Sequence, residues 1–195
     1  ILMPALGITP GQFGVAVSAY AFSAGISGIL SAGFADRFDR KRLLLFFYAG
    51  FTLGTALCAL APNYHVLLIG RIVTGLFGGV IGAVVLAITT DLFALQLRGR
   101  VMGLIQTAFA ASQILGIPAG LFLSNHWGWH VSFGALIVLS VAGMAAVMLL
   151  MKPVDGHLLL RQERTAFRHL IATVAQPRYT MAFLVTTLLA TGGYM

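Results

Sequence analysis

Ionisable side chains are scarce in this sequence, and those able to do chemistry gather in a few places. Of its 195 residues 59% are hydrophobic and only 9% charged. The run Asp36-Arg37-Phe38-Asp39-Arg40-Lys41-Arg42 mixes carboxylates with cations, Asp91 stands in Thr89-Thr90-Asp91-Leu92-Phe93, and Arg71 is set among apolar residues. Such groups form charge-assisted hydrogen bonds and ion pairs, and a carboxylate such as Asp36 can also accept from the N–H groups of a nearby helix N-terminus. Weaker polar groups form two stripes: Gln106 and Gln113 lie seven apart on one helical face, and Tyr20, Ser23 and Ser27 make a similar row. These either line an aqueous cavity or bond to neighbouring helices. No nucleophile, base and orienting group come together, and the zinc-protease, Walker and paired-cysteine patterns are absent. Neither a metal nor a cofactor is expected, and enzymatic chemistry is the least favoured class. The single Cys58 lies in an apolar stretch and reads as a small packing residue.

The elements that carry these groups must live with almost no charged surface. An ordinary soluble domain has about a quarter of its residues charged. Here the apolar residues fall into stretches of about twenty, the length that crosses a hydrocarbon core of about 30 Å at 1.5 Å per helical residue. The expected architecture is all-α, a polytopic membrane helical bundle. Complete spans are predicted near 12–34, 43–60, 66–90, 101–123 and 131–151, and a sixth begins near 181. Thr9 suits the N-cap of the first, Pro10 its first helical position and Gln12 the reciprocal partner of a capping box. Ala16, Ala19, Ala21, Ala24, Gly25, Gly28 and Gly33 let another helix come close to that span. In the fourth, Ser112 to Gly120 contains Gly116, Pro118 and Gly120, a combination that predicts a bend or a tight helix contact.

Orientation follows from the cations. Arg37, Arg40, Lys41 and Arg42 follow the first span, Arg98 and Arg100 the third, and Lys152, Arg161, Arg164, Arg168 and Arg178 the fifth. The alternate loops, 1–11, 61–65 and 124–130, hold no Lys or Arg and are placed outside, with Trp127 and Trp129 as interfacial anchors. The net charge of +7 therefore reads as a topology signal, and nucleic acid is excluded as a partner because the cations do not cover a soluble face. A multi-pass protein of a bacterial inner membrane is the expected setting, with the lipid bilayer as partner.

Arg71 lies about six residues into its span, roughly 9 Å at helical rise. It either snorkels outward or marks a partner or pathway, since a charge inside a membrane is costly. No Asp or Glu lies inside a complete span. The stretch from Lys152 to Gln176 reads either as a basic amphipathic helix on the inner leaflet or as a flexible linker.

Gly33, Asp36, Arg37, Arg40 and Lys41 match the signature loop of the major facilitator superfamily, with Asp39 where that loop usually has glycine. Arg71 followed by Gly75 resembles the family's second motif, and Ser112 to Gly120 the antiporter motif of its drug and sugar exporters, with the proline one position later and Ser112 in place of the leading glycine. The Gly116-Ile117-Pro118-Ala119-Gly120 form is closer to the arabinose-efflux-like exporters. The resemblance implies that Asp36, Arg37, Arg40 and Asp91 form an inner-side conformational latch, that Arg71 takes part in proton coupling, and that Tyr20, Ser23, Ser27, Gln106 and Gln113 are candidate substrate contacts. It implies a proton-linked carrier of a small organic solute, sugar or drug-like, with efflux favoured over uptake. An uptake symporter or uniporter of the same fold, and a non-transporting scaffold or sensor, stay open on the residues alone. The chain opens at Ile1 and stops at Met195 within an apolar stretch, and its first residues, with no basic run or cleavage site, are not expected to be a signal peptide. The expected organisation is an N-terminal bundle lacking its first helix over 1–151, a cytoplasmic linker over 152–180, and over 181–195 the start of a C-terminal half that is itself missing. A carboxylate proton carrier is expected in one of the missing parts.

Overall fold

The computed structural model describes residues 2–31 and 33–156, all within the first of the two units into which the chain divides, Ile1–Leu159 and Leu160–Met195. The expected amphipathic helix or linker beyond Gly156 and the sixth span lie outside the described residues. A short helix α1 (Leu2–Leu6) precedes α2 (Pro10–Ser31); after a 3₁₀ turn at Ala35–Arg37 come α3 (Arg40–Ala59), α4 (Tyr64–Leu92), α5 (Leu95–Trp127) and α6 (Trp129–Leu150). No strand occurs among the described residues, and α2 to α6 are each long and apolar enough to cross a membrane.

Helix starts follow local chemistry. Thr9 and Gln12 close a reciprocal capping box: Gln12 N–H donates to Thr9 Oγ1 at 3.2 Å, and Thr9 N–H to Gln12 Oε1 at 2.9 Å. Asn63 caps α4 by accepting from Val66 N–H at 3.1 Å. Several helices outrun their predicted spans. α3 begins at Arg40 instead of residue 43, and α5 takes in Arg98, Arg100 and His126, because backbone hydrogen bonding continues where the apolar run stops. The first span moves the other way and ends at Ser31, short of Phe34.

α4 is the central helix, packed along α2 on one side and α3 on the other; α6 covers the far side of α3, and α5 lies mainly against α6. The close approaches are built on glycine. A Cβ on Gly79 would strike the Ala24 backbone, one on Gly75 the Tyr20 carbonyl and Ser23 Cβ, and one on Gly70 the sulfur of Cys58. On α2 the contact row is Ala16, Tyr20, Ala24 and Gly28, whereas Gly25 of the predicted small-residue set has nothing near its Cβ position. Gly79→Leu is therefore expected to force α2 from α4 at a cost of about 3 kcal/mol, the upper range for overpacking. Thermal unfolding of the detergent-solubilised full-length protein should show a midpoint several degrees lower, with Gly25→Leu unchanged; equal midpoints would refute the packing order.

Two apolar clusters mark the ends of the bundle. Leu43, Leu44, Phe47, Val80 and Val84 form one beneath the Asp36–Arg42 turn, with Phe34 and Met151 against it. Cys58, Ala61, Leu67 and Trp129 form the other, with Leu2 and Leu6. The cation-bearing segments after α2, α4 and α6 meet at the first end, and the cation-free loops meet at the second, as the charge asymmetry predicts.

Candidate functional site

Beyond α2 the chain makes the 3₁₀ turn, extends at Phe38, and re-enters helix at Arg40 behind the N-cap Asp39. Three cations in the first turn of α3 oppose the helix dipole. The Asp39 carboxylate offsets them, accepting from Arg42 N–H at 2.8 Å. Arg40 turns inward and spends its guanidinium on three acceptors: Nε donates to Asp91 Oδ2 at 3.0 Å, Nη2 to Asp36 Oδ1 at 2.8 Å and Nη1 to the Ala35 carbonyl at 3.1 Å. The Arg40 side chain is 6% exposed and Asp91 22%, but Asp36 is 70% exposed. Water screens the Asp36 pair, so Asp91 is the stronger of the two partners. Arg37 does not join them. It is exposed and lines a hollow of about 960 Å³ with Phe38, Arg42, Phe46 and Asp155.

Other polar side chains bind helix C-terminal carbonyls. Lys41 Nζ donates to Met148 O at 2.9 Å and to Met151 O, at the end of α6. Arg98 Nη2 donates to Thr90 O at 2.7 Å and its Nε to Phe93 O at 3.0 Å, closing α4. At the opposite end His130 Nδ1 donates to Ala59 O, the last residue of α3. Each supplies a donor where a helix leaves carbonyls unsatisfied and its dipole is negative. Sequence reasoning read Lys41 and Arg98 as topology signals, Lys41 also as part of the signature loop; nothing in the residue pattern shows which backbone carbonyl either will reach.

In the membrane-spanning part, the Arg71 guanidinium lies over the Tyr20 ring, 4.5 Å from its centroid, joining α4 to α2. It points into the bundle and does not snorkel outward. Tyr20 also lines a cavity of about 490 Å³ with Tyr48, Phe51, Phe109, Ser112 and Ser140. Ser23 and Ser27 sit elsewhere. Ser23 Cβ faces Gly75, and Ser27 is 8% exposed with its hydroxyl donating to Ala24 O at 3.2 Å. Ser31, Thr55, Thr74 and Thr89 likewise donate to a carbonyl three or four residues back in their own helices. A hydroxyl in an apolar helix is satisfied this way without a partner helix. Gln106 and Gln113 are exposed on α5, none of whose residues is buried. α5 runs through Pro118, and Gly116 and Gly120 have open space at their Cβ positions, so no tight contact forms there among the described residues. Ser132 of α6 donates to the Gly120 carbonyl at 2.9 Å and pairs with Ser124 at 2.7 Å, a tie between α5 and α6 that the residue pattern did not reveal.

The family profile described as Major Facilitator Superfamily matches residues 1–195. The chain belongs to the major facilitator superfamily. Among curated proteins, AraJ of Escherichia coli (strain K12), which bears a transporter's name, is 32% identical over 73% of this chain and 36% of its own length. A niacin transporter of Acinetobacter baylyi is 30% identical over 65% of this chain and 29% of its own length, and multidrug resistance protein 3 of Bacillus subtilis 33% identical over 51% and 19%. The matched part spans 26% to 41% of the length of four such relatives. This member of the superfamily is a multi-pass membrane protein, and its family is one of transporters, not of enzymes.

Proposed function

We propose that this superfamily member is part of a secondary active transporter that moves a small organic solute, sugar or drug-like, by alternating access, coupled to protons and running outward. The observation that carries the reading is the placement of Arg40. One nearly buried guanidinium joins the turn after α2, the start of α3 and the end of α4 through Asp36, Ala35 and Asp91. A contact of this kind is made or broken as a unit, which is what a device that biases two facing states requires. Asp36, Arg40 and Asp91 are the latch in this reading, with Arg37 at its exposed rim. Arg71, stacked on Tyr20, is the coupling candidate, and the cavity beside Tyr20 and Ser112 is where polar groups are available to a solute. Gln106 and Gln113, exposed on α5, are further candidate contacts. The Gly116, Pro118 and Gly120 arrangement supports the outward direction, as does the name of the multidrug resistance relative.

Counterflow with the full-length protein in proteoliposomes, using radiolabelled pentoses and lipophilic cations as probes, tests the reading. Exchange of a probe without an energy source is the expected result, and a proton gradient should then drive its accumulation against its own gradient. Exchange with no response to the gradient would point to a uniporter of the same fold. Accumulation together with protons moving in the same direction would identify a symporter. A failure of every probe to exchange would favour a scaffold or sensor.

A further inference from the structure

Asp39 stands where the signature loop has glycine, yet its backbone, φ −56° and ψ 127°, makes no demand for glycine. Both of its carboxylate oxygens are engaged. Oδ1 accepts from Arg42 N–H and caps α3, and Oδ2 accepts from Val154 N–H, each at 2.8 Å. Arg40 completes the second contact, its own N–H donating to the Val154 carbonyl at 3.1 Å. Lys41 then holds the carbonyls of Met148 and Met151. Three consecutive residues thus grip the exit of α6, and Val154 is only 6% exposed.

Capping alone does not account for an aspartate here. Serine or asparagine caps a helix about as well, and glycine falls short by only a few tenths of a kcal/mol. The second oxygen is what a carboxylate adds, and it is aimed at Val154. The residue whose N–H pairs with Val154 is the same Arg40 whose side chain holds Asp36 and Asp91. The path from Val154 to Asp91 therefore crosses one residue, with a hydrogen bond on either side of it.

We propose that Asp39 is a positioning residue of the latch: it clamps the chain leaving α6 to Arg40, so that displacement of the segment at Val154 and release of Arg40 from Asp91 occur together. This rests on the latch reading given above. The clamp makes the connection beyond α6 a lever on the latch, and a glycine at position 39 leaves that lever slack.

Amide hydrogen exchange on the full-length protein in lipid nanodiscs tests the clamp. Asp39→Ser keeps the cap and is too short to serve Val154 as well. We expect exchange of the Val154 amide to rise at least tenfold, and that of 89–93, around Asp91, several-fold, with 43–50 of α3 unchanged. A rise at Val154 alone, or no rise at either place, overturns the proposal. Val154→Pro removes the same N–H from the other side and is expected to speed exchange at 89–93; it replaces Asp39→Ser should that variant not fold, and an unchanged 89–93 overturns the proposal equally. Arg40→Ala keeps this result apart from the fate of the latch. If Arg40→Ala alters 89–93 and counterflow but Asp39→Ser leaves 89–93 as it was, the role of Asp39 fails alone. If Arg40→Ala changes neither, the latch reading has failed and the lever with it.

Discussion

Arg40→Ala is expected to lower counterflow by the full-length protein at least tenfold and to leave it resting with its inner end open. The substitution removes all three donors that hold Asp91, Asp36 and the Ala35 carbonyl together. Breaking an ion pair with a buried member costs about 3 kcal/mol or more, chiefly because the remaining charge loses its partner. A bias of that size moves a two-state equilibrium by about a hundredfold, enough to trap a carrier that has to visit both states. The exposures rank the partners. Asp91→Asn should nearly match Arg40→Ala, whereas Asp36→Asn, at a carboxylate 70% exposed, should stay within about twofold of the parent. Maleimide labelling of Ser31→Cys from the cytoplasmic side reports the resting state, because Ser31 at the inner end of α2 is 2% exposed. Labelling should accelerate in Arg40→Ala and Asp91→Asn and stay slow in Asp36→Asn. Exchanging the pair, Arg40→Asp with Asp91→Arg, should recover part of the rate. Equal effects at Asp36 and Asp91, or unaltered labelling in Arg40→Ala, would contradict a latch built on the buried pair.

What could be read from the residues was local or periodic. The five complete spans followed from runs of about twenty apolar residues, and the start of α2 from Thr9, Pro10 and Gln12, three neighbours whose geometry is closed within one turn. The separation of cation-bearing from cation-free segments to opposite ends followed from where Lys and Arg are absent. Helix ends were harder, because hydropathy marks where lipid stops and α5 continues for several residues on either side of its apolar stretch. The pairing of Arg40 with Asp91 spans 51 positions and came from resemblance, since a basic loop and a distant aspartate carry no mutual signal. The unequal weight of Asp36 and Asp91 depends on burial and was not legible at all. The serine stripe shows a different limit. Ser27 has the spacing of a cavity residue, but a hydroxyl can always turn to a carbonyl in its own helix, and the spacing is the same in both cases.

Asp39 and Lys41 illustrate how one short run serves several purposes. Counted as a charge, Lys41 belongs to the cations from which the expected orientation is read. As hydrogen-bonding groups Asp39 and Lys41 close the ends of α3 and α6 and fasten the exit of α6 to Arg40. A cation at a helix C-terminus is favoured by the same dipole that makes the three cations at the start of α3 costly. Reaching across to α6 thus lets Lys41 offset at one helix what it costs at another. The cation-bearing end of the bundle is consequently held by contacts between elements, the kind of structure that shifts as a body when one tie is cut.

Arg71→Ala is expected to separate exchange from energy coupling. Arg71 carries a charge within a span, where insertion alone costs about 2.5–3.5 kcal/mol, so losing it should not destabilise the fold through lost solvation. Its described partner is the Tyr20 ring, 4.5 Å away, and the described carboxylates, Asp36, Asp39, Asp91 and Asp155, belong to the segments at the cation-bearing end of the bundle. A cation held by a π face and not by a carboxylate keeps its charge available to an anion or a protonatable group that comes and goes. In proteoliposomes Arg71→Ala should therefore leave counterflow within about twofold while proton-driven accumulation falls at least tenfold. Arg71→Lys should recover little, because an ammonium lacks the planar group that stacks on the ring. Tyr20→Leu removes a cation–π contact worth about 2 kcal/mol when desolvated and should give an intermediate loss, whereas Tyr20→Phe, which keeps the ring, should stay near the parent. If Arg71→Ala accumulates its probe as well as the parent, the arginine is a packing residue of the α2 and α4 contact, and the proton is handled by residues outside this part of the chain.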